Sequence, residues 1–384
     1  MVQRMILNET AYFGKGAITE IVNEVQKRQF TKALIVTDKG LMQNGVAKKV
    51  IDLLAEAELA YDIYDGIVPN PTIADVQNGV ASCQQAQADY IIAIGGGSPI
   101  DTAKAIGIIV QNPEFADVLS LEGTAATKKP SLPILAVPTT SGTAAEVTIN
   151  YVITDEKNHR KFVCVDPHDI PVIAFVDSEM MLGMPKGLCA ATGMDALTHA
   201  IEGYITKGAW AMTDMLHLKA IEIIAQSLRD SVAGKLEARE AMALGQYIAG
   251  MGFSNVGLGL VHGMAHPLSA WYDVPHGVAC ASLLPTVMDY NKEYTGEKYR
   301  QIAISMGIEN AAEMSLEQVR TAAVEAVRRL GIDVGIPQNI SSLGVQEKDI
   351  AAIAEDAFKD VCTPGNPRAA TVAEITELYR SLMV

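Results

Sequence analysis

The sequence predicts an α/β, Rossmann-like N-terminal domain followed by an all-helical C-terminal domain, and three observations carry that expectation. Short apolar segments of strand length alternate with amphipathic helical segments as far as Val176. One of those strands runs directly into three glycines, Gly95, Gly96 and Gly97. From Pro185 onward the helical period continues and strand patterns stop. Strand–helix alternation is the signature of a parallel sheet covered by helices on both faces. At 384 residues the chain is long enough to bury a large core and to form two domains.

The elements follow in order. Residues 18–28 carry Ile18, Ile21, Val22 and Val25 at helical spacing. Residues 33–37 (ALIVT) are short, continuous and rich in β-branched side chains, as a strand buried on both faces should be. Val46, Val50, Leu53 and Leu54 mark the next helix, residues 59–64 a strand, residues 73–86 a helix and residues 90–94 a strand. Further strands are expected at 134–137, 147–153 and 172–176, all in the same parallel sheet. Beyond Pro185 the apolar spacing is helical, as over 216–228, 241–251 and 316–330. We place the boundary between Asp177 and Pro185, giving domains 1–180 and 181–384. A cleft is expected where two such domains meet, and ligands favour clefts.

Composition narrows the function classes. Hydrophobic residues make up 49% and charged residues 20%, ordinary for a globular protein. The formal net charge of -15 disfavours nucleic acid and anionic lipid as partners. No apolar run is long enough to span a bilayer, and the N-terminus lacks the apolar core of a signal peptide. Cys83, Cys164, Cys189, Cys280 and Cys362 are scattered, odd in number and free of C-x-x-C pairs. Free, buried or half-buried thiols of a cytoplasmic protein are therefore expected rather than disulfides or a thiolate zinc site.

The run Ile92-Ala-Ile-Gly95-Gly96-Gly97-Ser98-Pro99-Ile100-Asp101 is the sharpest signal in the first domain. Its glycines let the backbone turn tightly and approach a ligand. Ser98 is expected as the cap of the next helix, with Pro99 at the first helical position and Asp101 completing a capping box. Exposed N–H groups at that helix start suit a pyrophosphate, although the run departs from the G-x-G-x-x-G fingerprint and a merely tight turn is the bland alternative. Pro138-Thr139-Thr140-Ser141-Gly142-Thr143 follows a second buried strand and is dense in small hydroxyls. Asp38, at the end of the first buried strand, suits a ribose hydroxyl pair and would repel a 2′-phosphate, favouring NAD over NADP; a plain strand-end cap is the alternative.

The second domain carries the chemistry in Gly193-Met-Asp195-Ala-Leu-Thr-His199-Ala-Ile-Glu202 and in Gly259-Leu-Val-His262-Gly-Met-Ala-His266-Pro267, followed by Val274-Pro-His276-Gly277. Asp195 and His199 are four apart and share a helix face, as do His262 and His266. Of the seven histidines, four fall in these two segments. His159, His168 and His217 are read as surface or satisfied core residues. Imidazoles with a carboxylate suit Fe(II), Zn(II), Mn(II) or Ni(II), and spacing alone leaves open which of the five side chains ligate.

Gly259-x-x-His262-x-x-Ala265-His266-Pro267 with Pro275-His276-Gly277 resembles the signature of the iron-dependent alcohol dehydrogenases. The glycine loop, Pro69-Asn70-Pro71-Thr72, Pro138-Thr139-Thr140-Ser141-Gly142-Thr143 and Asp195-x-x-x-His199 match that family in the same order, across essentially the whole chain. The resemblance implies a metal, Fe(II) with Zn(II) as a possible occupant, on Asp195, His199, His262 and His276. It implies His266 beside the reacting carbon, as a proton relay or as support for the site; an imidazole, with an unperturbed pKa near ~6.5, suits the relay. It implies NAD contacts from Asp38, Asn70, Gly96, Gly97, Ser98, Thr139, Thr143, Thr148 and Lys161, a small alcohol or aldehyde substrate, and a homodimer. The implied pocket residues are Asn150, Phe253 and Leu258. Phe253 and Leu258 would restrict substrate length, and Asn150 could pair with a second hydroxyl, which points to (S)-1,2-propanediol and lactaldehyde. The alternatives are a general short-chain alcohol or glycerol-type dehydrogenase, a non-redox sugar-phosphate lyase or cyclase, and a metal-binding protein without catalysis. The lyase would need Lys or Arg around a substrate phosphate, and segments 193–202 and 259–277 contain none.

Overall fold

The structure is a computed structural model that describes residues 2–158 and 160–383, so His159 lies outside the described residues. The chain divides into two compact units, one of residues 1–140 and 144–184, the other of 141–143 and 185–384.

The first unit is built on six strands, β1 (Thr10–Phe13), β2 (Lys32–Val36), β3 (Ala60–Tyr64), β4 (Tyr90–Gly95), β5 (Ile134–Pro138) and β8 (Ile173–Val176), in the order β1-β8-β5-β4-β2-β3. Every pairing in this sheet is parallel. The helices are α1 (Glu20–Arg28), α2 (Lys39–Gln43), α3 (Val46–Glu56), α4 (Ile73–Ala86) and α5 (Gly97–Gln111). Strand residues alternate between two apolar layers. Ala33, Ile35, Ile92, Ile94, Leu135 and Val137 join Ile21, Val25, Val50 and Leu54 on one face. Leu34, Val36, Ile91, Ala93, Ile134 and Ala136 join Ile100, Ala103 and Ile106 on the other. Burial on both faces is why these strands read as continuous apolar runs. The winding reverses between β2 and β4, because β3 lies outside β2 on one side and β5 outside β4 on the other. Ligands of doubly wound sheets bind at the carboxyl ends of strands at such a reversal. Asp38 follows β2 there, and Gly96 and Gly97 follow β4.

The structure departs from the sequence reading at three points. The strand placed over 147–153 does not join the parallel sheet. Residues 145–147 form a 3-10 turn, and β6 (Asn150–Asp155) pairs antiparallel with β7 (Arg160–Val165) in a separate two-stranded ribbon. Only alternate residues of β6 are fully buried, the pattern of a ribbon with one covered face. Strand β1 went unpredicted because it is a four-residue edge strand whose residues are only partly buried. The third correction is the start of α5. Gly96, not Ser98, is its N-cap, and the helix begins at Gly97. Asp101 completes no capping box; it accepts instead from the Val152 N–H of β6 at 3.0 Å.

The second unit is helical: α6 (Lys186–Ile205), α7 (Ala211–Ala233), α8 (Leu236–Val256), α9 (Leu260–Tyr272), α10 (His276–Asn291), α11 (Lys298–Ser305), α12 (Leu316–Asp333), α13 (Ile350–Lys359) and α14 (Val372–Ser381). No strand occurs after Pro185 among the described residues. Capping boxes start α12, from Ser315 and Gln318, and α14, from Thr371 and Glu374. One apolar core joins these helices, with Leu197, Ile221, Leu260, Leu284, Val327 and Ile353 fully buried. Helix α6 lies at its centre, buried from Cys189 to Ile205, so its polar residues face protein rather than water. Among the described residues, no helix is long and apolar enough to cross a membrane.

Candidate metal centre and cofactor loop

Three helices of the second unit converge on one polar cluster. Helix α6 supplies Asp195 and, one turn on, His199; α9 supplies His262 and His266; α10 begins at His276. Ligand-capable atoms of Asp195, His262, His276 and Cys280 all lie within 4.8 Å of one another. Asp195 Oδ1 is 4.0 Å from His262 Nε2 and 3.8 Å from His276 Nε2. His199 stands outside that set, its ring stacked on His262 with centroids 4.6 Å apart. His266 stacks on His276 at 5.4 Å and meets His262 edge-on at 6.2 Å. The two segments singled out in the sequence are thus brought together. The close approach of α10 to α6 depends on Gly277, where a Cβ would sit 2.5 Å from the Ala191 carbonyl oxygen.

Glu202 explains how His262 is oriented. Its Oε2 lies 2.6 Å from His262 Nδ1, and its Oε1 accepts from the Val261 N–H at 2.7 Å. With Nδ1–H donating to the carboxylate, the Nε2 lone pair points at the cluster. That atom is buried with no hydrogen-bond partner among the described residues, and the same holds for His199 Nδ1. Burial works against a charged His262, but Glu202 and Asp195 raise its pKa above the ordinary value. His199 is pushed well down, first by burial and then by His262. Imidazole lone pairs facing one carboxylate inside protein, one of them fixed by a second carboxylate, fit a divalent metal of the N/O-preferring class. Cys280 Sγ, 3.6 Å from His276 Nε2, adds a thiol that spacing had not placed there.

His266 has its own carboxylate, Asp360, whose Oδ2 is 2.7 Å from Nδ1. Burial raises the Asp360 pKa, but His266 and the Cys362 N–H outweigh it and hold it below the usual value. Sequence reasoning missed both carboxylate partners. Glu202 was visible as the next residue on the Asp195–His199 face; Asp360, 94 residues from His266, had no local signal.

In the first unit, β4 ends at Gly95, where a Cβ would collide with the Pro99 ring, and no side chain caps α5 among the described residues. The first N–H groups of a helix have no intrahelical acceptor, so this bare start fits a pyrophosphate. Thr139 follows β5, and its N–H donates to the Gly95 carbonyl at 2.9 Å. Asp38 caps α2, accepting from the Leu41 N–H at 2.9 Å. Asn70 sits in the left-handed region at φ 56° and accepts from Lys161 Nζ at 2.7 Å. Asn150 begins β6 and Thr148 lies two residues before it, and Lys104 Nζ donates to the carbonyls of both. Thr143 falls with Ser141 and Gly142 in the helical unit, where Gly142 packs against Thr192. Of the three residues expected to govern substrate choice, Phe253 stacks on His199 at 4.2 Å and Leu258 is buried before α9, whereas Asn150 belongs to the first unit.

Elsewhere, His168 is half-exposed against Thr127 at 2.9 Å. His217 is buried, but neither ring nitrogen has a hydrogen-bond partner among the described residues, so it is a core residue without being a satisfied one. Burial holds its pKa down at about 3. None of the five cysteines is in a disulfide, and four of them are buried.

A metal-fitting imidazole–carboxylate cluster, in a chain whose other half ends parallel strands in a bare helix start, fits the class of metal- and dinucleotide-dependent enzymes. The family follows from comparison: residues 8–178 match the iron-containing alcohol dehydrogenase model, and residues 189–383 match the C-terminal model of the same family. The chain belongs to the iron-containing alcohol dehydrogenases, and with that membership come iron and NAD as cofactors. It is 66% identical to the lactaldehyde reductase of Escherichia coli K12 over 99% of this chain and 100% of that one. It is 43% identical to a 1,3-propanediol dehydrogenase of Klebsiella pneumoniae, over 96% of each. The solved structure of a 1,3-propanediol oxidoreductase superposes with a TM-score of 0.96 at 42% identity, covering all of both chains.

Proposed function

We propose that the protein interconverts (S)-1,2-propanediol and lactaldehyde, with residues 1–180 carrying NAD and residues 181–384 carrying the metal. The observation behind this reading is the imidazole–carboxylate cluster, in a chain 66% identical to a lactaldehyde reductase along its full length. Asp195, His199, His262 and His276 are the proposed ligands. Asp38, Asn70, Gly96, Gly97, Ser98, Thr139, Thr143, Thr148 and Lys161 are the proposed cofactor contacts, and Asn150, Phe253 and Leu258 shape substrate choice. A homodimer in the cytoplasm, as the resemblance implies, completes the reading.

When bound, the two groups supply Lewis-acid polarisation of an alcohol oxygen and a nicotinamide that takes up hydride. Glu202, against Nδ1, fixes the His262 tautomer so that Nε2 would be the atom to hold the metal. Asp195 sets a carboxylate opposite the imidazoles of His262 and His276, a donor set that suits a cation. His266, with Nδ1 against Asp360, holds Nε2 as the site of proton exchange; a positioned acid–base group contributes typically ~10²–10⁴ in rate. Asn150 offers an amide to a second hydroxyl, and a site built to pair with a hydroxyl rejects the analogue lacking it.

Two measurements test this. Chelation should abolish turnover and Fe(II) should restore it. The ratio of kcat/KM for 1,2-propanediol to that for 1-propanol should exceed one, with ethylene glycol a poorer substrate than 1,2-propanediol. If 1-propanol is the better substrate, the protein is a general short-chain alcohol dehydrogenase on the same machinery.

A further inference from the structure

Lys104 has no role in the function derived so far, yet it is one of the largest fully buried side chains in the molecule. Its ammonium donates to the Thr148 carbonyl at 2.7 Å, the Thr148 hydroxyl at 2.9 Å and the Asn150 carbonyl at 2.8 Å. All three of its N–H donors are thereby used. Burial pulls the Lys104 pKa below the ordinary lysine value, and the carboxyl groups of Asp169, Asp101 and Glu146 only partly offset it. Asp169 is itself fully buried, with no hydrogen-bond partner for either carboxyl oxygen among the described residues. Such a cluster is a costly way to fill a core, since well-packed apolar side chains of similar volume are often as stable or more so. Stability alone gives little reason for an ammonium here.

Location gives a better reason. Lys104 lies on α5 one turn beyond Asp101, so the two share a helix face. Asp101 accepts from Val152 N–H at 3.0 Å, and Lys104 takes Thr148 and Asn150. The helix that begins in the glycine loop thus grips residues 148–152 at two points, all within the first unit. We propose that Lys104 is a positioning residue, tying the glycine loop to the Thr148–Asn150 segment so that cofactor and diol contacts are held in register. This rests on the reading of Thr148 as a cofactor contact and Asn150 as a diol contact. A displacement of about 1 Å at such contacts can cost ~10²-fold in rate.

The test is Lys104→Met, which keeps the apolar stem and removes the donors. Lys104→Met/Asp169→Asn runs beside it, leaving the pocket with one carboxylate fewer should the single variant fail to fold. NADH affinity is read by fluorescence titration, and kcat and KM are measured for 1,2-propanediol and 1-propanol on metal-loaded enzyme. The Kd for NADH is expected to rise at least tenfold, with a higher KM for the diol and a diol-to-propanol ratio falling towards one. Metal content and the far-UV circular dichroism spectrum should match the parent. A core-filling lysine would instead lower Tm and the active fraction, scaling kcat down at unchanged Kd and KM. NADH Kd and diol KM within twofold of the parent in the folded variant overturn the proposal. Asn150→Ala, measured alongside, keeps the two readings apart. If it leaves the diol-to-propanol ratio unchanged, the substrate assignment is wrong, and the NADH Kd alone decides the role of Lys104.

Discussion

Asp38 caps α2 with the same carboxylate that is proposed to face the cofactor ribose, and the two roles can be separated. Its Oδ1 caps α2 through the Leu41 N–H, while its position after β2, at the reversal of the sheet, puts negative charge where an adenosine ribose is expected. Removing charge and cap together, as in Asp38→Gly, should raise the efficiency with NADP relative to NAD at least about tenfold, roughly 1.4 kcal/mol. Asp38→Asn keeps an N-cap while removing the charge, and asparagine caps as well as aspartate. If carboxylate–phosphate repulsion sets the preference, both variants should shift it. A shift in the glycine variant alone would place the effect in loop conformation. Glu202 gives a second prediction at this scale. Glu202→Gln retains an acceptor for His262 Nδ1–H but loses the charge, and partners of this kind typically contribute ~10–100-fold in metal affinity. Competition against a metal-sensitive dye should show that loss in Fe(II) or Zn(II) affinity. His276→Ala should lose metal more completely, and full occupancy in that variant would remove His276 from the ligand set.

At the scale of elements, the metal cluster depends on how closely helices pack. Helix α10 delivers His276 from its first residue, and Gly277 lets that first turn rest on the backbone of α6 at Ala191. The obstacle to a side chain there is a backbone carbonyl in the buried part of α6, which cannot swing aside. Gly277→Ala should cost ~1–3 kcal/mol, the range for overpacking, and should draw His276 away from Asp195. A lower Tm together with reduced metal content is the expected result; a loss of Tm at full metal content would mean that the helix yields elsewhere. Contacts of this kind explain what was legible in the sequence and what was not. Asp195, His199, His262 and His266 announced themselves because they are one turn apart in pairs, and the glycine loop because three glycines end an apolar run. Asp360 and Lys104 did not, since each acts across a distance in sequence that carries no period. The cap of α5 was misplaced because Ser98 is the better capping residue by propensity, whereas Gly96 lets the loop come closer to Thr140. Strand β6 was assigned to the wrong sheet, and its partner β7 was missed, because apolar alternation says that a strand is present but not which sheet it joins.

At the scale of the whole molecule, metal and fold are unequal partners. The helical core runs through many residues outside the cluster, among them Leu284, Val327 and Ile353, all fully buried. A core of that extent does not need a metal to form, in contrast to small domains whose folding energy is metal binding. The cluster nevertheless holds a buried carboxylate and buried imidazoles whose charge states are set against one another, so binding a cation should add stability by mass action. At a free metal concentration about 100 times Kd, the gain is ~2.7 kcal/mol. For a chain of this length that corresponds to roughly 3–6 °C in Tm. Chelator-treated protein should therefore keep the parent far-UV circular dichroism spectrum and a cooperative unfolding transition, and Fe(II) or Zn(II) should raise Tm by a few degrees. His262→Ala, lacking the imidazole that Glu202 orients, should show the smaller shift. Collapse of the helical signal on chelation would mean that the cluster organises the fold of the second unit rather than resting on it.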